Sequence, residues 1–131
     1  MAVLIDTSVL IDVERGRTAL DAAIGEEERA VSVITASELL HGVHRAVNDR
    51  ARARRQAFVE HILAALDPIP ITTRVARAHA AAWAQLDAAG TPIGAHDLWI
   101  AATALAHGYT VATTNTRDFA RVPGLELAAV G

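Results

Sequence analysis

Apolar residues along this chain come either in short solid runs or in longer stripes at helical spacing. Ala2, Val3, Leu4 and Ile5 form the first run, the pattern of a short strand covered on both faces in the middle of a parallel sheet. Asp6 ends it, polar Thr7 and Ser8 follow, and Val9, Leu10 and Val13 return one helical face at a time, so a strand-to-helix turn is predicted at Asp6. After the acidic stretch GEEERA, the run AVSVI predicts a second strand over 30–34. Leu39, Leu40, Val43 and Val47 then share a helical face, with Thr35 as the predicted cap and Glu38 three residues on as its capping-box partner. Phe58, Val59, Ile62, Leu63 and Leu66 make the next stripe, which DPIP terminates before a third strand around Ile69 and Ile71.

The stripe Val75, His79, Trp83 and Leu86 ends at Gly90, and its His79 and Trp83 read as core side chains rather than ligands. TPIGAHDLWIAATALAHG gives a further helix ending at Gly108, YTVAT a fourth strand, NTRDFARV a turn of helix, and LELAAV an edge strand. Strands alternating with helices predict an α/β fold with a mainly parallel sheet of four to five strands. No repeat or linker breaks the chain, so residues 1–131 are expected to form a single domain.

Composition narrows the chemistry. A chain of 131 residues that is 52% hydrophobic can bury a core without a disulfide or metal staple. It has no cysteine, which removes thiolate chemistry and cysteine-ligated zinc and permits a reducing compartment. No basic leader and no long apolar segment are evident, so a cytoplasmic protein without a membrane span is expected. The net charge of −3 means that any phosphate ligand must be met by a local cation. All twelve basic residues are arginine, which excludes a P-loop lysine, Schiff-base chemistry and the lysine of a phospho-receiver domain. Five of those arginines lie between Arg45 and Arg55; a solvated face is the ordinary reading of such a run, and an RNA-tracking surface the functional one.

Beyond Asp6, three acids stand at element starts or strand ends: Glu38, Asp97 and Asp118. Each has a structural explanation. Asp6 could simply cap a helix, Glu38 complete a capping box, Asp97 favour a helix N-terminus, and Asp118 pair with Asn115 across a first turn. Together they fall at one edge of the predicted sheet, where open α/β folds place their ligands. Carboxylates about 5–6 Å apart at an effective dielectric of about 20 repel by about 3 kcal/mol per pair, a cost that a bound cation offsets. All-oxygen donors without cysteine suit magnesium or manganese rather than zinc.

At these residues the chain resembles the PIN-domain nucleases, and within them the VapC-type toxins of bacterial and archaeal toxin–antitoxin pairs. The resemblance rests on LIDTSVLID, SVITASELLHG, DLWIAATALAHGYTVATTN and TTNTRDF, which occur in the family's order from Val3 to about Val130. It implies a three-layer α/β/α sandwich and a magnesium-dependent endoribonuclease. Carried over position by position, the metal-binding and catalytic acids are Asp6, Glu38, Asp97 and Asp118, with Thr7, Thr113 and Asn115 in supporting polar positions. Asp6 and Asp97 are the expected direct ligands; Glu38 and Asp118 are expected to act through water or on a second ion. The resemblance further implies an RNA substrate, products with a 5'-phosphate, a cognate antitoxin that covers the site and a homodimer. Arg50, Arg52, Arg54 and Arg55 are the candidate RNA-binding residues. Trp99, where the family commonly has small residues, is expected to alter packing rather than metal binding.

Other readings are weaker. A haloacid-dehalogenase-type phosphotransferase needs a second aspartate two residues after the first, where Ser8 stands, and a nucleotide-binding loop needs glycines that DTSVLID lacks. His41 and His44 lie three apart without a third zinc ligand at a recognisable spacing. The alternatives that survive are a PIN-like scaffold whose acids are inert and which binds only RNA or protein, and a housekeeping RNA-processing nuclease.

Overall fold

The structure, a computed structural model, describes residues 2–129. Three parallel strands, β1 (Ala2–Ile5), β2 (Glu28–Ala30) and β3 (Thr110–Ala112), form a sheet in the order β2-β1-β3. Leu4 lies beside Ala30 on one side and Val111 on the other. The alternation of strand side chains divides the core in two. Val3, Ile5 and Ala112 pack into one cluster with Val9, Leu10, Val31, Leu39, Val59 and Ile62. These come from the face covered by α1 (Thr7–Glu14), α2 (Leu20–Ile24), α3 (Val33–His44) and α4 (Asp49–Ala65). Leu4 and Val111 point the other way, into a cluster with Leu86, Leu98, Ile100, Ala101, Ala104 and Phe119. That face is covered by α5 (Thr73–Ala89), α6 (Ala95–His107) and α7 (Thr116–Phe119). All four residues of β1 are buried, as a strand with helices on both faces requires. The three-layer sandwich is therefore the architecture.

The expected four to five strands reduce to three. Ile69 and Leu127 make only isolated parallel bridges, to Ser32 and Val111, at the two edges of the sheet. At the first edge the Ile69 amide donates to the Val31 carbonyl and the Val33 amide donates to the Ile69 carbonyl, both at 2.9 Å. Pro68 and Pro70 flank Ile69 and have no amide proton with which to lengthen the ladder. At the other edge Ala128 donates to Val111 at 2.8 Å; Val130, the end of that expected strand, lies outside the described residues.

The second strand is Glu28–Ala30 rather than 30–34, because Ser32 caps α3. Its hydroxyl accepts from the Thr35 amide at 3.1 Å, so Val33 and Ile34 are helical. Thr35 is then a buried first-turn residue and not the cap, and Glu38 has no capping box to complete. α2 was not apparent from the pattern; it has only five residues and no side-chain cap bond. The arginine-rich stretch enters α4, one helix of 17 residues capped by Asn48. Gly90 and Gly108 end α5 and α6 in the left-handed conformation, as expected.

His79 is buried, but Trp83 is 56% exposed and so is not a core residue. Trp83 sits edge-on to His79, whose other face stacks on Trp99 with ring centroids 3.5 Å apart. Trp99 thus packs α6 on α5. Among the described residues no helix is long and apolar enough to cross a membrane.

Candidate functional site

The first acid owes its position to the end of the central strand. The Asp6 amide donates to the Ala112 carbonyl at 2.9 Å, continuing the β1–β3 ladder by one bond, while its side chain caps α1. Oδ1 accepts from the Thr7 amide at 2.8 Å; Oδ2 accepts from the Ser8 hydroxyl at 2.8 Å and the Thr113 hydroxyl at 2.7 Å. Asp6 is buried, and that burial raises its pKa despite the three hydrogen bonds that favour the charge; the nearby Glu38 raises it further.

A short strap after β3 completes this corner. The Thr113 hydroxyl accepts from the Asn115 amide at 2.9 Å, and the Ser8 hydroxyl accepts from the Thr114 amide at 3.1 Å. Each hydroxyl therefore has its lone pairs and its proton directed, which orients both toward Asp6. Ser8 was not singled out by sequence reasoning. The available signal was its place two residues after a strand-ending aspartate, where a hydroxyl can reach back to the carboxylate.

The other acids gather around it. Glu38, on α3, accepts from the Thr7 hydroxyl at 2.7 Å through Oε1, and its Oε2 lies 3.4 Å from His96 Nδ1. Asp97 and Asp118 stand in the first turns of α6 and α7. One amide group joins them: Asn115 Nδ2 donates to Asp97 Oδ2 at 3.2 Å and to Asp118 Oδ2 at 3.1 Å. Arg121 lies 3.5 Å from the other Asp118 oxygen and donates to the Pro92 carbonyl at 3.0 Å. Asp97 has no cationic partner among the described residues. Burial, then repulsion from Asp6 and Glu38, and more weakly from Asp118, push its pKa up to about 6 against the pull of Asn115.

All four acids predicted from sequence therefore meet electrostatically, and Thr7, Thr113 and Asn115 each hold at least one of them. His96 and Arg121, which sequence reasoning passed over, stand beside Glu38 and Asp118. The four arginines are not brought to the carboxylates. Arg50, Arg52 and Arg54 are exposed on α4, with Arg52 paired to Asp49 at 3.1 Å. Arg55 donates to the Gly42 carbonyl at 2.7 Å and lies 3.5 Å from Glu14, tying α4 to α3 and α1.

Among the described residues no three His, Asp or Glu side chains are grouped so as to hold a metal ion between them. The donors nonetheless fit a hard cation of the magnesium kind, which binds through one or two carboxylates plus water and substrate oxygens and needs no all-protein cage. Asp6 retains one lone pair, on Oδ1, beyond its three donors, and Asp97 carries a carboxylate whose charge is opposed by burial and by its neighbours' repulsion.

A pH dependence follows. The folded pKa of Asp97, about 6, lies above its ordinary value of 3.8. The native state therefore binds more protons than the unfolded chain between those values, and stability falls as pH rises through them. At face value the shift is worth about 3 kcal/mol; Asp97 is half-buried, and solvent screening reduces this to about 1–2 kcal/mol. In chelator the protein is expected to resist urea better at about pH 5 than at about pH 8, and Asp97→Asn to flatten the difference. An unchanged slope in the variant would remove Asp97 as its source.

The sequence matches the PIN domain family over residues 3–125. It is 35% identical over 130 residues to Ribonuclease VapC1 of Rickettsia felis, covering 99% of this chain and 97% of that protein. The structure resembles VapBC-5 of Mycobacterium tuberculosis, a member of the VapBC family of toxin-antitoxin systems, with a TM-score of 0.80 and 34% identity over 95% of this chain and 93% of that one. It also resembles DNA-bound VapBC of Salmonella typhimurium, with a TM-score of 0.85 and 27% identity over 98% and 97% of the two chains. A family match across nearly the whole chain, a relative of the same length, and helices on both faces of a parallel sheet agree: this chain belongs to the PIN domain family and is of the VapC type.

Proposed function

We propose that this protein is a metal-dependent endoribonuclease and the toxin of a toxin–antitoxin pair. The observation that carries the reading is the gathering of Asp6 at the end of β1, Glu38 in the second turn of α3, and Asp97 and Asp118 in the first turns of α6 and α7, with Asp97 held back from ionising by burial and by repulsion from Asp6 and Glu38. The names of the relatives point the same way. One is a ribonuclease, a Salmonella typhimurium relative 34% identical over 97 residues is a tRNA(fMet)-specific endonuclease, and the VapBC-5 structure belongs to a toxin-antitoxin family. RNA is accordingly the proposed substrate, and an antitoxin protein the proposed partner. A homodimer belongs to the same proposal by resemblance.

Magnesium, or manganese in its place, is the proposed cofactor. Asp6 and Asp97 would hold it, with Glu38 and Asp118 acting through water or on a second ion. When bound, such an ion activates water for in-line attack and neutralises charge on the phosphoryl oxygens. The chain's own contribution is to keep the oxygen donors where they are needed. Ser8, Thr113 and the Thr7 amide fix the plane of the Asp6 carboxylate, Thr7 fixes Glu38, and Asn115 holds Asp97 and Asp118 at a set separation. Rigid placement of this kind is what positions a nucleophile near its target.

The test is a cleavage assay on labelled single-stranded and structured RNA. Cleavage is expected in millimolar magnesium or manganese, with 5'-phosphate products, and is expected to stop in chelator. Cleavage that persists in chelator would overturn the metal reading, and no cleavage in either ion would favour the inert scaffold.

A further inference from the structure

A groove of about 620 Å³ runs from the carboxylates along α1, α3 and α4, within the range of about 300–1,000 Å³ usual for ligand clefts. Thr7 and Glu38 line its inner end, so it is continuous with the candidate site. Arg15, Arg45 and Arg55 line the rest. Arg55 is committed to Glu14 and the Gly42 carbonyl, which also cancels the charge of Glu14. Arg15 and Arg45 are exposed and have no carboxylate partner among the described residues. They follow the last turns of α1 and α3, where the main chain turns away and leaves the guanidinium groups at the rim. On a chain of net charge −3, the groove is thus anionic at one end and cationic at the other.

Resting on the endoribonuclease reading above, we infer that this groove carries the RNA strand into the carboxylates and that Arg15 and Arg45 bind its phosphates. A polyanion cannot approach four carboxylates unaided, and two unpaired guanidiniums on the same groove supply the missing attraction. Each forms a planar fork suited to two phosphate oxygens. Arg50 and Arg54, the candidate RNA-binding residues of the arginine run, have the same charge and no carboxylate partner among the described residues, but they do not line the groove, so the same substitutions there set the two surfaces against each other.

The experiment measures binding of a fluorescein-labelled single-stranded RNA of about 12 nucleotides by anisotropy, in EDTA, across a salt series. Binding read in EDTA is independent of cleavage. Arg15→Gln/Arg45→Gln is expected to weaken binding about tenfold at low salt. It should also reduce the slope of log Kd against log salt by about 1.4, two single-strand phosphate contacts at about 0.7 each. Arg15→Lys/Arg45→Lys should keep most of the slope, and Arg50→Gln/Arg54→Gln should leave it unchanged. All three are surface changes, and melts matching wild type establish that they fold. In magnesium, the first variant should raise KM and leave kcat in place.

Wild type that fails to bind at low salt, or equal losses in the two glutamine pairs, would overturn the inference. So would a groove variant that binds RNA normally but no longer co-purifies with a co-expressed antitoxin, since the groove would then belong to a protein partner. Binding that depends on Arg15 and Arg45 in a protein that cleaves nothing would uphold the groove and overturn the nuclease reading alone.

Discussion

In chelator, Asp6→Asn is expected to melt higher than the native protein while losing RNA cleavage by at least about a hundredfold. The gain comes from removing a buried charge that desolvation and Glu38 both oppose. The helix cap survives, because asparagine caps about as well as aspartate and its oxygen can still accept from the Thr7 amide. The Ser8 and Thr113 hydroxyls lose an acceptor, but they lie 3.4 Å apart and can turn toward each other, so the net gain is about 1–2 kcal/mol. In millimolar magnesium the order reverses. The native protein gains stability from ion binding by mass action, and the variant gains much less. Equal magnesium shifts in thermal melts, with cleavage retained, would return Asp6 to a purely capping role.

Asn115→Asp is expected to destabilise the metal-free protein more than any other single change at the site. Its amide nitrogen donates to two carboxylates at once, and the substitution puts a third negative charge where that donor stood. Two like-charge contacts of about 3–4 Å at an effective dielectric of about 20 come to several kcal/mol. With half-exposed partners and screening, a loss of about 2–4 kcal/mol at about pH 8 remains, or roughly 10 °C in Tm. Asn115→Ala removes the two hydrogen bonds without adding charge and should cost only about 1–2 kcal/mol. Lowering the pH to about 4 should narrow the gap between the variants, because Asp97, with its pKa pushed up to about 6, then protonates and its repulsion of the added carboxylate is lost. If the two variants melt alike at both pH values, the repulsion proposed among these acids is absent.

The parts of this fold that were legible in the sequence are those in which one local signal had no competitor. Ala2–Ile5 followed by Asp6 gave a buried strand and its turn, and Gly90 and Gly108 marked two helix ends. The start of α3 had two hydroxyl candidates, Ser32 and Thr35, each able to cap. The choice fell to Ser32 because Thr35 is taken into the core against Thr7, a contact 28 residues away in sequence. The capping box offered as the structural explanation of Glu38 therefore falls away, and its carboxylate meets Thr7 and His96 instead. Asp97 and Asp118 were legible as first-turn acids, but the single amide that joins them was not, since it depends on where the strap after β3 crosses the sheet edge. Charge density drew attention to Arg50, Arg52, Arg54 and Arg55. Of the two unpaired arginines that rim the groove, Arg45 opens that same run and Arg15 stands apart from it at the end of α1; the two acquire a shared environment only in three dimensions.

The prolines on either side of Ile69 reach beyond the strand count. An open sheet edge normally offers a row of free amides and carbonyls on which another chain can grow as an added strand, whether a partner's or a copy's own. Here that rim is spent on one residue, and its neighbours have no proton to offer. Beside Val31–Val33, where Ile69 sits, strand addition is closed by the same two rings that cut the ladder short.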